Sequence, residues 1–191
     1  MNQIKVLFEG YARKIPEGWI ANSASVLVES NGKRIIVDPG CDRKKLLESL
    51  GKENLSAGDI DYVVLTHTHT DHALLAGIFG NAKVLNSLEI YDNDKQTAHN
   101  DAIPETDIKL LQTPGHVPDH CSVIVPAPEG LYVIAGDVFW WMEDEEQNVD
   151  VDREDPAHAF DMEKLVESRK KILEIADYII PGHGKTFKTK K

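Results

Sequence analysis

Cysteine is scarce in this sequence, since only Cys41 and Cys121 occur among its 191 residues. Two cysteines are too few for the disulfide framework of a small secreted domain. The N-terminal stretch MNQIKVLFEGYARK also lacks the apolar core and the small-residue cleavage site of a secretory signal peptide. Long hydrophobic runs are missing as well, because no run approaches the roughly 18 residues that predict a membrane-spanning helix. We therefore expect a cytoplasmic protein without a membrane segment.

Basic residues are in the minority. The chain has 21 lysine and arginine residues against 32 aspartate and glutamate residues, which gives a formal net charge of -11. Such a charge repels polyanions at long range, so it weighs against broad nucleic-acid binding without excluding a local basic groove. The length of 191 residues suits one domain with a substantial buried core. We expect a single domain over residues 1–191.

Hydrophobic periodicity predicts an α/β protein. Apolar residues alternate over 22–38 around Asn31-Gly32, a pair that is typical of a type I′ hairpin turn. Helical spacing follows over 43–50. A longer amphipathic helix is predicted to begin at Asp155-Pro156, where a capping side chain precedes a proline. Short apolar runs predict further strands at 60–65, 82–86, 108–113, 122–126, 131–135 and 178–180.

Polar side chains are concentrated in the stretch THTHTDH, which follows the predicted strand at 60–65. Three imidazoles and one carboxylate fall within six residues there: His67, His69, Asp71 and His72. Neutral imidazole binds zinc and other transition metals, and aspartate supplies a hard anionic oxygen. Side chains at i and i+2 diverge on a helix, so we expect a loop to carry them. A lone histidine is more often solvated or hydrogen-bonded, whereas four such residues together indicate a metal site.

Three later stretches place a further histidine or aspartate beside a glycine, just after an apolar run. They are TPGH, AGD and PGHG, which contain His116, Asp137 and His183. Side chains at strand ends can meet at one open face even when they are distant in the chain. Together with the first cluster they supply five histidines and two aspartates, enough for two metal ions.

The stretches DPG, THTHTDH, TPGH, AGD and PGHG resemble, in order and approximate spacing, the motifs of the metallo-β-lactamase fold superfamily, from about residue 22 onward. The resemblance implies a four-layer αββα sandwich, a single metallo-hydrolase domain with the metals at one edge of its two sheets. It assigns the first ion to His67, His69 and His116, and the second to Asp71, His72 and His183. Asp137 would bridge the two ions, and Asp38 would be the carboxylate behind the ligands that orients their loop.

The types of ligand residue limit which branches of this superfamily the sequence can resemble. Position 69 is histidine rather than the glutamate of the oxygen-reducing di-iron members, and the bridging-type Asp137 is absent from β-lactamases proper. Hydrolases similar to glyoxalase II, lactonases, tRNA-processing nucleases and mononuclear iron persulfide dioxygenases remain. The C-terminal stretches AGDVF, EDP and ESRKKILEIADYIIPGHG resemble the short subgroup named metallo-β-lactamase domain-containing protein 1. Both a hydrolase and an RNA endonuclease role are attached to that subgroup.

We therefore predict a hydrolase that uses a metal-bridging hydroxide on a small ester, thioester or lactone. The cofactors would be two divalent ions, with zinc preferred and iron or manganese as alternatives. An RNA phosphodiesterase or endonuclease, a mononuclear iron persulfide dioxygenase and a non-catalytic binding domain are the alternative functions. The acidic run from Glu143 to Asp155 would disfavour polyanionic substrates if it overhung the site, although a solvated loop is its simpler interpretation. The expected partner is a small molecule, and homo-oligomerisation stays open.

Four residues near the metals have further predicted roles. Asp71 would orient the nucleophile. His120 follows His116 by four positions and could pass a proton to a leaving group, or could be an ordinary surface or supporting histidine. Trp140 and Trp141 follow Asp137, and adjacent residues cannot both point into one face of a sheet. We predict that one of these tryptophans lines the substrate pocket or a dimer contact.

Overall fold

The computed structural model describes residues 1–190, in which strands dominate. In chain order the strands are β1 Gln3–Phe8, β2 Tyr11–Ile15, β3 Gly18–Asn22, β4 Ser25–Ser30, β5 Lys33–Val37, β6 Tyr62–Val64, β7 Lys83–Leu85, β8 Glu89–Asp92, β9 Lys95–Ala98, β10 Lys109–Gln112, β11 Cys121–Ala127, β12 Gly130–Trp140, β13 Tyr178–His183 and β14 Phe187–Lys188. The α-helices are α1 Arg43–Lys52, α2 Thr70–Ala73 and α3 Met162–Ile175. Short 3₁₀ helices cover Ala57–Asp59 and Ala76–Ile78.

The strands form two mixed sheets and a separate hairpin. The first sheet has the order β1-β4-β5-β6-β7-β8-β9, the second has the order β10-β11-β12-β13-β14, and β2 pairs with β3. Strands β5, β6 and β7 run parallel, as do β12 and β13. Because parallel strands end at the same edge, Asp38 after β5 lies near the loop after β6, and Asp137 in β12 lies near His183 in β13.

Three apolar layers hold the sheets and helices together. The two sheets face each other across a core that includes Val28 and Ile35 from the first sheet and Val123 from the second. Helix α1 buries Leu46 and Leu50 on the outer face of the first sheet, and α3 buries Leu165 and Ile172 on the outer face of the second. A fully buried leucine or isoleucine contributes about 1.5–3 kcal/mol. The layer order is helix, sheet, sheet, helix, so the predicted αββα sandwich is confirmed.

The hairpin turn that the sequence predicted at Asn31-Gly32 is present in the structure. Asn31 and Gly32 both have positive φ, of 50° and 79°, as a type I′ turn requires. The predicted start of the long helix at Asp155-Pro156 was wrong, because α3 begins at Met162, where Asp161 caps it by accepting a hydrogen bond from the backbone of Lys164. Among residues 1–190, no helix is long and apolar enough to cross a membrane.

Candidate metal centre

The THTHTDH stretch begins in a loop and ends in a helix. His67 and His69 lie in the loop that follows β6, as predicted, but Asp71 and His72 belong to the single turn of α2. The turn directs both of these side chains toward His183 and Asp137. The two histidines of the loop face His116 instead. The change from loop to helix therefore divides the four side chains between two sites.

The seven ligand-type residues form two clusters. The first cluster consists of His67, His69, His116 and Asp137, and the second cluster consists of Asp71, His72 and His183. Within each cluster the ligand atoms lie within 4.8 Å of one another. The resemblance divides the six residues other than Asp137 in the same way, and it assigns Asp137 to both ions. His116 follows β10 and His183 ends β13, whereas Asp137 lies inside the eleven-residue strand β12, which extends well beyond the run at 131–135.

Asp137 lies between the two clusters. Its Oδ2 is 3.4 Å from Nε2 of His116 and 3.8 Å from Nε2 of His67. Its Oδ1 is 3.2 Å from Nε2 of His72 and 3.6 Å from Nε2 of His183. One carboxylate oxygen thus faces each cluster, which is the geometry that a bridging ligand requires.

Each buried imidazole is held through the nitrogen that faces away from the clusters. Nδ1 of His67 lies 3.1 Å from Oγ1 of Thr66, and Nδ1 of His183 lies 3.0 Å from the carbonyl oxygen of Tyr11. Carboxylates perform the same task for the remaining two, since Nδ1 of His72 contacts Asp38 and Nδ1 of His116 contacts Asp155. Such contacts select the tautomer and direct the Nε2 lone pair toward a metal.

Asp38 connects the first sheet to the ligand loop. Its Oδ1 accepts a hydrogen bond from the backbone N–H of Thr66 at 2.8 Å, and its Oδ2 accepts one from the Thr66 hydroxyl at 2.7 Å. The same Oδ2 lies 2.8 Å from Nδ1 of His72. Asp38 also has a φ of 49°, in the left-handed region that few residues other than glycine, asparagine and aspartate adopt. The carboxylate therefore occupies the position expected of an orienting group.

The residues present fit divalent metal ions. Among the residues that the structure describes, Nε2 of His67, Nε2 of His72 and Oδ1 of Asp137 are buried and have no hydrogen-bond partner. Leaving buried polar atoms unpaired is costly, so these atoms, which face the two clusters, call for ligands. The ring centroids of His67 and His72 are only 4.1 Å apart. Two protonated rings would repel each other at this distance, whereas neutral rings beside a cation would not.

The electrostatics agree with that fit. Burial lowers the pKa of His67 well below its ordinary value, so the ring is neutral, the form that binds a metal. Burial raises the pKa of Asp137, but His72 and His183 outweigh burial and bring this pKa well below its usual range. Burial also lowers the pKa of His72, and there the carboxylates of Asp137 and Asp38 reverse the effect and raise it. A metal ion would therefore displace a proton from His72.

His120 lies behind the ligands and not in front of them. It is fully buried, and its Nε2 accepts a hydrogen bond from the backbone N–H of Asp137 at 3.2 Å. Its Nδ1 must then carry the proton, which it donates to Oγ1 of Thr113 at 3.0 Å. Burial lowers the pKa of His120 to about 3, so the ring is neutral. With both nitrogens engaged, this placement argues against the predicted proton transfer and indicates that His120 supports the Asp137 backbone.

Trp140 and Trp141 point to opposite faces of β12. Trp140 lines a cavity of about 200 Å³ at the two clusters, and its ring is 5.7 Å from that of His183 and 6.1 Å from that of Trp19. Trp141 packs in the core beneath α3 and donates its Nε1 hydrogen bond to the carbonyl of Asn148. Trp140 is thus placed to contact a substrate, whereas Trp141 faces away from this cavity.

Sequence analysis did not assign two of the residues that lie at the two clusters. Trp19 reaches the cavity from the hairpin of β2 and β3, a segment without a recognisable ligand motif. Asp155 was interpreted as a helix cap, but its side chain is buried against His116. The EDP stretch that contains Asp155 was its only signal, and an aspartate before a proline is equally typical of a helix start.

The sandwich and the two clusters at its edge define a metallo-hydrolase fold with a two-site centre. A family model described as the metallo-beta-lactamase superfamily matches residues 19–105. Metallo-beta-lactamase domain-containing protein 1 from Xenopus laevis is 31% identical over 200 residues, which cover 100% of this chain and 83% of that protein. The chain belongs to the metallo-beta-lactamase superfamily.

Solved structures share the same fold. A crystal structure from Thermotoga maritima matches with a TM-score of 0.75 and 20% identity, over 98% of this chain and 99% of that chain. AidC, a dizinc quorum-quenching lactonase, matches with a TM-score of 0.64 and 18% identity, over 87% of this chain and 74% of its own. At these identities the similarity concerns the fold.

Proposed function

We propose that this protein is a two-metal hydrolase that cleaves a small ester, thioester or lactone. The observation that carries the proposal is the position of Asp137, which joins the two clusters at the base of a cavity of about 200 Å³. A volume below the 300–1,000 Å³ of most ligand pockets suits a small substrate or the reacting end of a larger one. The dizinc lactonase with the same fold supports this substrate class.

The two clusters would each hold one ion, and Asp137 would serve both. Five imidazoles and two carboxylates form a ligand set that suits zinc. Each ion would have four protein ligands when Asp137 is counted for both, and zinc can accept a fifth ligand during a reaction. When bound, such ions supply an activated water and polarise the substrate carbonyl. We propose zinc as the resident metal, with iron or manganese as the alternatives that metal analysis would reveal.

Asp71 would orient the attacking water. It lines the cavity, and its Oδ2 lies 3.2 Å from Nε2 of His183. Burial raises the pKa of Asp71, but the hydrogen bond to His183 and the nearby His72 outweigh burial and lower it. The side chain is therefore anionic at neutral pH and can accept a hydrogen bond. As a hydrogen-bond acceptor beside the clusters, it would direct a water lone pair toward the substrate carbonyl.

The cavity walls support an uncharged substrate. Trp19 and Trp140 form an aromatic side, and Ala12, Ala21 and Ala157 complete the apolar wall. None of the described residues that line this cavity is a lysine or an arginine. A phosphodiester substrate would need such cations to neutralise its backbone. The walls and the net charge of -11 together favour a carbonyl substrate over RNA.

The test combines metal analysis with a substrate panel. Protein purified without chelator, and then reconstituted with zinc, should contain nearly two metal ions per chain. It should hydrolyse a thioester or a lactone but not bis-(p-nitrophenyl) phosphate or single-stranded RNA. His69→Ala should abolish the activity. The matched control His99→Gln should retain it, since His99 lies outside both clusters and contacts the carbonyl of Asn86.

Other outcomes would point elsewhere. Less than one metal ion per chain after reconstitution would contradict the two-metal site. Turnover of the phosphodiester or RNA alone, lost in His69→Ala, would support the nuclease. One iron per chain with oxygen uptake on a persulfide would support the dioxygenase. A metal-loaded protein inactive toward the entire panel would support a binding domain.

A further inference from the structure

We propose that Asp155 is a positioning residue that sets the metal affinity of the first cluster through His116 and ties that ligand to the pocket wall through Trp140. The inference rests on the proposed two-metal site, although part of its test needs neither metal nor substrate. Asp155 lies 39 residues from His116 in sequence and belongs to the acidic run that follows β12. Only the proline that follows it distinguishes its local sequence from that of the exposed acids around it.

Three donors converge on the Asp155 carboxylate. Its Oδ2 lies 2.6 Å from Nδ1 of His116. Its Oδ1 accepts hydrogen bonds from Nε1 of Trp140 at 3.3 Å and from the backbone N–H of Ala157 at 2.8 Å. The side chain is fully buried. A carboxylate accepts and a backbone or indole N–H donates, so the direction of every bond is fixed.

The bond to Asp155 decides which nitrogen of His116 is available. Because the carboxylate can only accept, Nδ1 of His116 carries a proton. Nε2 therefore presents its lone pair to the first cluster, where it lies 3.4 Å from Oδ2 of Asp137 and 3.1 Å from Nδ1 of His69. A carboxylate behind an imidazole also makes the ring a stronger metal ligand. His67 has only the Thr66 hydroxyl in this place, so Asp155 is the sole carboxylate that we find behind a histidine of the first cluster within residues 1–190.

The loop that carries Asp155 is clamped to the sheet. The buried guanidinium of Arg169, in α3, donates from Nε to the carbonyl of Val138 and from Nη1 to the carbonyls of Val151 and Arg153. Val138 lies in β12, next to Asp137. A charged group is costly to bury, and hydrogen bonds from the guanidinium to main-chain carbonyls of β12 and the loop offset this cost. The clamp fixes the distance between the strand and the residues that lead to Asp155.

The first experiment measures metal affinity. Asp155→Asn retains the size of the side chain and removes its charge, and Glu154→Gln is the matched control, because Glu154 is its exposed neighbour. Competition with a chromophoric zinc chelator should show one of the two ions bound roughly 10–100-fold more weakly in Asp155→Asn. The other ion and the control should match the wild type. If a folded Asp155→Asn protein bound both ions with the affinity of the wild type, the proposal would be overturned.

The second experiment reads the tautomer of His116 in the wild-type protein after metal removal. Two-bond proton–nitrogen correlation spectra of ¹⁵N-labelled protein distinguish protonation at Nδ1 from protonation at Nε2, and a His116→Gln variant assigns the signal. We expect a proton on Nδ1. A ring with its proton on Nε2 and a bare Nδ1 would overturn the proposal even if Asp155→Asn failed to fold.

The two proposals fail differently. A wild-type protein that binds two ions but hydrolyses nothing would contradict the proposed activity, and a weakened ion in Asp155→Asn would still support the role of Asp155. Conversely, an active hydrolase in which Asp155→Asn binds both ions normally would retain the function and reject the positioning role. Trp140→Phe removes the indole donor together with part of the aromatic surface that lines the cavity. It should leave the affinity for both ions near that of the wild type, which would separate the bond to His116 from the bond to Trp140.

Discussion

Asp137 approaches His72 with one carboxylate oxygen, at 3.2 Å, and His116 with the other, at 3.4 Å. These two histidines belong to different clusters, and each is held from behind by its own aspartate, Asp38 or Asp155. A single side chain from β12 therefore connects two ligand sets that come from different parts of the chain. The consequences of this arrangement can be tested directly.

Asp137→Asn should impair both clusters at once. The variant removes a charge that faces both clusters, so it should lower metal content and reduce hydrolysis by more than about 100-fold, since even outer partners of a ligand contribute 10–100-fold. Elemental analysis and the thioester or lactone assay measure the two effects. Asp144→Asn, on an exposed part of the acidic run, is the control and should leave both unchanged. Normal metal content in Asp137→Asn would disprove the shared-ligand role.

Trp19→Ala should weaken substrate binding more than catalysis. Trp19 is 42% exposed, and its ring contacts Trp140 across the cavity. Loss of one aromatic partner should raise KM roughly 2- to 13-fold with little change in kcat, since such contacts contribute about 0.5–1.5 kcal/mol. Ile20→Ala alters the next residue of the same hairpin, which does not line the cavity, and should leave KM unchanged. Equal effects of the two variants would show that the hairpin acts only as a whole.

Gly182→Ala should damage the centre because the position has no space for a side chain. A Cβ there would lie 1.9 Å from Oδ1 of Asp137. The resulting displacement should destabilise the protein by roughly 1–3 kcal/mol or more and reduce metal content. Gly51→Ala is the matched control, since a Cβ in this position of α1 meets nothing within 4 Å. That variant should gain about 0.5–1 kcal/mol. Denaturant unfolding measures both changes.

The metal-free protein should lose stability in acid partly through His120. The pKa of His120 is about 3 in the folded protein and near its ordinary value of 6.5 in the unfolded chain. Between these two pKa values the unfolded chain binds one more proton than the folded protein. The free energy of unfolding therefore decreases by about 1.4 kcal/mol for each pH unit that the solution is acidified within this window. His67 and Asp137 face the ring and titrate in both proteins compared below.

His120→Gln removes this titration, and the glutamine Oε1 can still accept the Asp137 N–H. Urea unfolding of the chelator-treated wild type and variant at pH 7 and pH 5 gives the comparison. We expect the variant to lose less stability between the two pH values. An identical loss in both proteins would show that His120 does not contribute to acid unfolding.

Metal binding should itself stabilise the fold. The buried Nε2 atoms of His67 and His72 have no hydrogen-bond partner among the described residues, and a bound ion would give them one. Adding zinc at 100 times its dissociation constant should raise the free energy of unfolding by about 2.7 kcal/mol per site. Denaturant titrations with zinc and with excess chelator test this, and His69→Ala should respond less than His99→Gln. A zinc-independent midpoint would contradict the ligand assignment.

The sequence by itself determined the features that depend on neighbours along the chain. The turn at Asn31-Gly32 follows from backbone preferences of two residues, and α1 follows from the apolar spacing over 43–50. The ligand-type residues were equally visible, because their density in THTHTDH and beside the strand-end glycines has no simple structural explanation. The four-layer fold was implied by the resemblance of those motifs to a known family, and the matched relatives and structures confirm it.

Strands without apolar alternation could not be predicted. β9 is exposed along its whole length, so its pairing with β8 leaves no hydrophobic pattern in the sequence. Only the tertiary structure decided the roles of residues whose partners are distant. The local sequence of Asp155 predicts a helix cap, but its side chain is a buried partner of His116. The position of His120 in the sequence suggests a catalytic role, but its ring lies behind Asp137. The physical reason is that a polar side chain's local alternatives are nearly equal in energy, so a buried donor or acceptor elsewhere in the chain selects among them.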